Sequence, residues 1–141
     1  MKLGDVRFAQ HDRLLVAHLT GEIDMSNAER IGDAIAETAS NQELGLILDF
    51  SALHYLDSAG IHLVFRLREQ LRARGQTLAL VIPADSPSND TVRLSGVTLH
   101  IDTFESLPEA IGAALPAQEA PSAPRAQGGP APLLDDVERP G

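Results

Sequence analysis

Apolar residues recur along the first 115 positions with a spacing that switches between two and three-to-four, and the periodicity stops after Leu115. Val6-Arg7-Phe8 and Leu14 to Leu19 predict two short strands, joined by a turn at His11-Asp12-Arg13. Gly21-Glu22-Ile23-Asp24 leaves the second strand. Ser26 followed three residues later by Glu29 has the form of a capping box. The helix it opens places Ala28, Ile31, Ile35 and Thr38 on the inner side and ends near Ser40-Asn41. Leu44 to Phe50 is apolar apart from Gly45 and Asp49, as a strand covered on both faces requires. A loop over 51–57 then leads to a helix from Ser58 to about Arg74, stopped by Gly75.

Thr77 to Ile82 predicts another buried strand, ended by Pro83. The polar stretch from Asp85 to Gly96 has room for a short helix at most. Thr98 to Ile101 reads as a short last strand and Ser106 to Leu115 as a last helix. Strands alternating with helices predict a single α/β domain over residues 1–115, with helices packed against a mixed sheet. Residues 116–141 are rich in Pro, Ala and Gly and follow neither period, the composition of a disordered tail. The one sticky element there is Leu133-Leu134, beside Asp135 and Asp136.

The helix after Ser58 carries more than a core stripe. At about 100° per residue, Gly60, Val64, Leu67 and Leu71 share one face, with Leu63 at its border. Gly60 is a weak helix former in the first turn, which suits close approach of another backbone. Ile61 and Phe65 fall outside the stripe, among Arg68 and Arg72. Either they form a partner-binding patch, or a neighbouring loop covers them.

Composition narrows the chemistry. There is no cysteine, which excludes disulfides, thiolate zinc sites and a thiol nucleophile. The net charge of −9 opposes binding to nucleic acid or anionic lipid. No signal peptide is visible, and no stretch approaches the roughly 20 apolar residues of a membrane helix, so a soluble, cytoplasmic protein is expected. The five histidines (His11, His18, His54, His62, His100) lack ligand spacing, and no phosphate-cradling glycine motif occurs. Neither a metal nor a nucleotide cofactor is therefore expected.

The segment Leu56-Asp57-Ser58-Ala59-Gly60-Ile61 follows a buried strand and opens a helix. By position alone Ser58 is an N-cap, its hydroxyl accepting from a backbone N–H. His54, Asp57 and His62 lie near it in sequence, but DSAG lacks the first glycine of a nucleophile elbow. A hydrolase also needs a base held against the serine and an oxyanion hole, so an enzyme is not expected.

Taken with GEID at 21–24 and a late SLPEAI helix, LDSAGI at 56–61 resembles the STAS family, and especially bacterial anti-sigma factor antagonists. The resemblance covers about 1–115. It departs after Pro83, where Asp90 and Thr91 replace apolar residues, and in the tail. It implies that Ser58 is the phosphoacceptor, flanked by Asp24 and Asp57. It further implies an anti-sigma factor that is also a serine kinase as partner, with a phosphatase reversing the modification. Only the unphosphorylated form would bind that partner and so release a sigma factor. Gly60, Ile61 and Phe65 would border the contact. The alternative implied by the same family is an accessory subunit of a membrane lipid-transport ATPase.

Overall fold

In the computed structural model, residues 4–39 and 43–114 are described. The strands are β1 (Asp5–His11), β2 (Leu14–Ile23), β3 (Gly45–Leu56), β4 (Thr77–Val81) and β5 (Asp102–Phe104). The helices are α1 (Ala28–Thr38), α2 (Ser58–Ala73), α3 (Asn89–Leu94) and α4 (Leu107–Ala114), with a 3-10 turn at Val97–Leu99. One sheet holds the strands in the order β1-β2-β3-β4-β5. β1 and β2 pair antiparallel, as a turn two residues long permits, and the remaining pairs are parallel. The expected mixed sheet covered by helices is what the chain forms.

Both faces of the sheet are covered, which is why its central strands are apolar at successive positions. Leu15, Ala17 and Leu19 of β2, with Leu46, Leu48 and Phe50 of β3, meet Ile31 and Ile35 of α1 and Val64, Leu67 and Leu71 of α2. Val92 and Val97 close the same core. Leu14, Val16, Ile47, Ala79 and Val81 point to the opposite face, where Ala110 of α4 packs. Gly75 sits at φ 74°, a left-handed conformation that glycine adopts without penalty, and it ends α2 as expected.

Five expectations about the elements need correction. Residues 51–56 are not loop: β3 runs on to Leu56 and pairs with β2 as far as Ile23. Register shifts between His18 and Thr20 and between Gly21 and Glu22 insert extra residues in β3, which spoils the inside-outside alternation a strand is read from. GEI therefore ends β2 rather than leaving it.

No strand forms at 98–101. Val97 and Ile101 are both buried, four residues apart, around the 3-10 turn, and β5 begins at Asp102. Thr38 is exposed, and its hydroxyl donates back to the Ala34 carbonyl at 2.8 Å. Ser26 does not cap α1, whose N-cap is Asn27. The expected helix end at Ser40-Asn41, residue Leu115 and the tail lie outside the described residues.

Candidate functional site at the start of the second helix

β3 delivers the chain to α2 through one residue, Asp57, whose N–H donates to the Ile23 carbonyl at the end of β2 (3.2 Å). The Asp57 carboxylate then caps the helix. Its Oδ1 accepts from the N–H groups of Ala59 at 2.8 Å and Gly60 at 3.3 Å. Two of the N–H groups that a helix start leaves unpaired are thereby satisfied by a negative group at the positive end of the dipole. The capping position belongs to Asp57, not Ser58. Ser58 is the first helical residue, exposed, and its hydroxyl takes no part in the cap.

Asp57→Ala should therefore lower stability by about 1 kcal/mol, while Asp57→Asn, an equally good cap, should be nearly neutral. Urea unfolding of the two variants checks this. Equal losses would show that charge, rather than the cap bonds, is what the helix start uses.

The loop from β2 into α1 forms the other wall. Asn27, only 4% exposed, holds it together. Its Oδ1 accepts from the Asp24 N–H (3.0 Å) and its Nδ2 donates to the Glu22 carbonyl (2.9 Å). Asp24 Oδ1 accepts from both the N–H (2.9 Å) and the hydroxyl (2.5 Å) of Ser26. Those two bonds, the hydroxyl first, hold the Asp24 carboxyl below the ordinary carboxylate range, so it is charged at neutral pH.

Glu22, Asp24, Met25, Ser26, His54, Tyr55 and Asp57 line one open cleft beside Ser58. The structure thus brings Asp24 and Asp57, more than thirty residues apart in sequence, to one acidic recess, as expected. Sequence reading missed Asn27, Met25 and Tyr55. Met25 is 83% exposed and Tyr55 49%, an unusual amount of apolar surface to leave in water beside carboxylates. Asn27 carries a partial signal, since Asn before a helix-period run is a cap residue. Tyr55 carries none, because the irregularity that turns it outward belongs to the pairing of β3 with β2.

Along α2 the expectations divide. Gly60 is buried, and what approaches it is a side chain rather than a backbone: a Cβ there would lie 2.1 Å from Leu56 Cδ1 and 3.3 Å from Ile23 Cγ2. Ile61 is 8% exposed and belongs to the core, so its reading as an open apolar patch is corrected. Phe65 is half-buried against the same core, and its ring meets His100 edge-on at 6.0 Å between centroids. For Phe65 the segment after α3 supplies that cover, the second of the two outcomes considered.

The imidazole–carboxylate pair among the described residues lies elsewhere. On the α4 side of the sheet, His18 Nδ1 and Asp49 Oδ2 are 2.7 Å apart, and Asp49 Oδ1 accepts from the Ser51 N–H and hydroxyl. Among the described residues there is no cluster of three or more His, Asp or Glu that could hold a metal ion. No described helix is long and apolar enough to cross a membrane.

Comparison with known proteins agrees with this architecture. The chain is 27% identical over 107 residues to the anti-sigma-F factor antagonist RsfB of Mycobacterium tuberculosis, covering 75% of this chain and 85% of that protein. An anti-sigma factor antagonist from Mycobacterium paratuberculosis superimposes with a TM-score of 0.67 at 25% identity, over 79% of this chain and 94% of the other. The Bacillus cell fate determinant SpoIIAA in its phosphorylated form has the same fold, with a TM-score of 0.58 at 23% identity, over 79% of this chain and all of that one. The STAS domain model matches residues 5–110, nearly the whole described structure, and the chain belongs to the STAS domain family.

Proposed function

We propose that this chain is an anti-sigma factor antagonist, switched by phosphorylation of Ser58. In its unphosphorylated form it binds an anti-sigma factor that is also a serine kinase, and a sigma factor is released. The observation that carries this reading is the division of labour at the start of α2. Asp57 caps the helix, so the adjacent exposed Ser58 hydroxyl has no structural duty there and is open to modification. The RsfB relative supports the partner class, since it is an anti-sigma-F factor antagonist. A protein of this fold also exists in a phosphorylated form.

The chemistry follows from the position. A phosphate on Ser58 adds about −1.5 to −2 charge and sits at a helix N-terminus, which tolerates anions, so the domain stays folded. The same charge joins Glu22, Asp24 and Asp57 around the recess. A partner surface fitted to a neutral hydroxyl then meets bulk and concentrated negative charge. In this reading Asp24 and Asp57 orient the acceptor for the kinase, Gly60 holds α2 close to β3, and Ile61 and Phe65 support the docking face from below. A phosphatase resets the switch, and the protein works in the cytoplasm.

Incubation with the cognate kinase and ATP, followed by peptide mass spectrometry, tests the proposal. The phosphate should appear on Ser58 and not on exposed Ser26 or Ser51, and Asp24→Asn and Asp57→Asn should slow its transfer. Phosphate on another serine, or none at all, would overturn the assignment.

A further inference from the structure

Ser58 has its neighbours along the α2 surface at Ile61 and His62, three and four positions on. Ile61 is buried, whereas His62 is exposed like Ser58 itself. Helical side chains lean toward the N-terminus, so a side chain at 62 leans over the turn that begins with Ser58. Cβ atoms at this spacing are about 5–6 Å apart, a gap that a phosphate and an imidazole together span. Among the described residues the His62 ring takes part in no hydrogen bond, ion pair or ring contact.

The rest of the helix start offers a phosphate little. The N–H groups of Ala59 and Gly60 are held by the Asp57 carboxylate, that of Ile61 by the Asp57 carbonyl, and that of Asp57 by the Ile23 carbonyl. Donors that a helix N-terminus commonly turns toward an anion are thus already taken. The recess beside Ser58 is lined by Glu22, Asp24 and Asp57, which repel a phosphate, together with Tyr55 and the basic residue His54. On α1, packed beside α2, Gly32 lies under the Arg66 guanidinium and Glu29 stands one turn before it. Arg66 is eight residues from Ser58, about 12 Å along the helix axis. His100 packs on Phe65, and Glu69 is paired with Arg68 and Arg72. Of these groups, His62 is the base placed on the same ridge as Ser58 and one turn away.

We propose that His62 is the intramolecular partner of the phosphate on Ser58, its ring holding a proton to pair with the phosphate dianion. The inference rests on Ser58 being the modified serine, and it adds a pH dependence to the switch. Opposite charge favours the ionised phosphate and the protonated ring. The second ionisation of the phosphate therefore moves down in pH, and the titration of the ring moves up. Below the raised midpoint of the ring, the pair presents about one unit less negative charge than above it. The phosphate opposes the partner least in mildly acid conditions, and most once the pH has risen through that midpoint.

Full-length protein with phosphoserine placed at position 58 during translation tests this, whichever serine the kinase selects. Followed by phosphorus-31 resonance, the phosphate of the wild-type sequence should ionise about 0.3 pH unit below that of His62→Gln, the size expected of an exposed pair one turn apart. His62→Lys, charged throughout, should restore the low midpoint. Ring proton resonances should show His62 titrating higher in the phosphorylated protein than in the unmodified one, by a similar amount. Equal phosphate midpoints for wild type and His62→Gln would overturn the proposal. So would a ring shift at His54 with none at His62, which would make the recess, rather than the helix, the source of the proton. Either failure leaves Ser58 standing as the switch, because the target of the kinase is read separately from its phosphopeptide.

Discussion

Ser58→Asp is expected to bind the anti-sigma factor at least a hundredfold more weakly than the wild-type chain, with an unchanged circular dichroism spectrum. A hundredfold corresponds to about 2.7 kcal/mol, within reach of one buried, unmatched charge at an interface. The fold should be untouched because Ser58 is exposed and outside the cap, and an acidic group suits the first turn of a helix. Ser58→Ala separates charge from loss of the hydroxyl. Because the cap is Asp57, the alanine variant should keep its stability within about 0.5 kcal/mol and bind the partner constitutively. Titration calorimetry with the purified anti-sigma factor decides the matter. Equal affinities for Ser58→Asp and wild type would sink the switch, whatever relative the domain resembles.

A second large effect is expected at Gly60, where a side chain should destabilise the domain although the residue is helical. Alanine normally improves a helix over glycine by about 1 kcal/mol. Here the new Cβ would lie 2.1 Å from Leu56 Cδ1 and 2.9 Å from Leu56 Cγ. Leu56 is itself 3% exposed and packed in the core, so it has little room to turn away. Overpacking costs about 1–3 kcal/mol, so Gly60→Ala should be a net loss and Gly60→Val should reach about 3 kcal/mol.

Both changes push α2 away from β3, and with it Ser58 away from the recess that holds Asp24. Thermal unfolding should show Gly60→Val melting more than 10 °C below wild type, by the usual 4–8 °C per kcal/mol for domains of up to about 100 residues. Unchanged melting temperatures for both variants would mean that Leu56 repacks freely, and that Gly60 does not set the position of α2.

The two experiments are complementary. Ser58 variants change charge at constant geometry, whereas Gly60 variants change geometry at constant charge. A kinase that still modifies Gly60→Ala at the wild-type rate would place its recognition in the local Asp57-Ser58 sequence. A slowed reaction would place it in the assembled recess, where Met25 and Tyr55 are exposed.

The fold class was legible in the pattern of apolar residues because burial leaves a period. The continuous run from Leu46 to Leu48 suits a strand covered on both faces, and the spacing of Ile31, Ile35, Val64, Leu67 and Leu71 suits the inner faces of helices, which is where they lie. The strand-to-helix junction that carries Asp57-Ser58 was legible too, since an apolar strand gives way there to a helix-period stripe. The details that depend on pairing were not. Whether Ser58 or Asp57 capped α2 turned on which side chain's oxygen, the Ser58 hydroxyl or the Asp57 carboxylate, reached the Ala59 N–H. Whether residues 51–56 were loop or strand turned on register shifts against β2, which no local spacing records. Ile61 was left open between patch and covered residue because a helical wheel knows only its own axis; the structure places it in the same buried cluster as Val97 and Ile101. Periodicity reports that a residue must be covered, and only the tertiary structure decides by what.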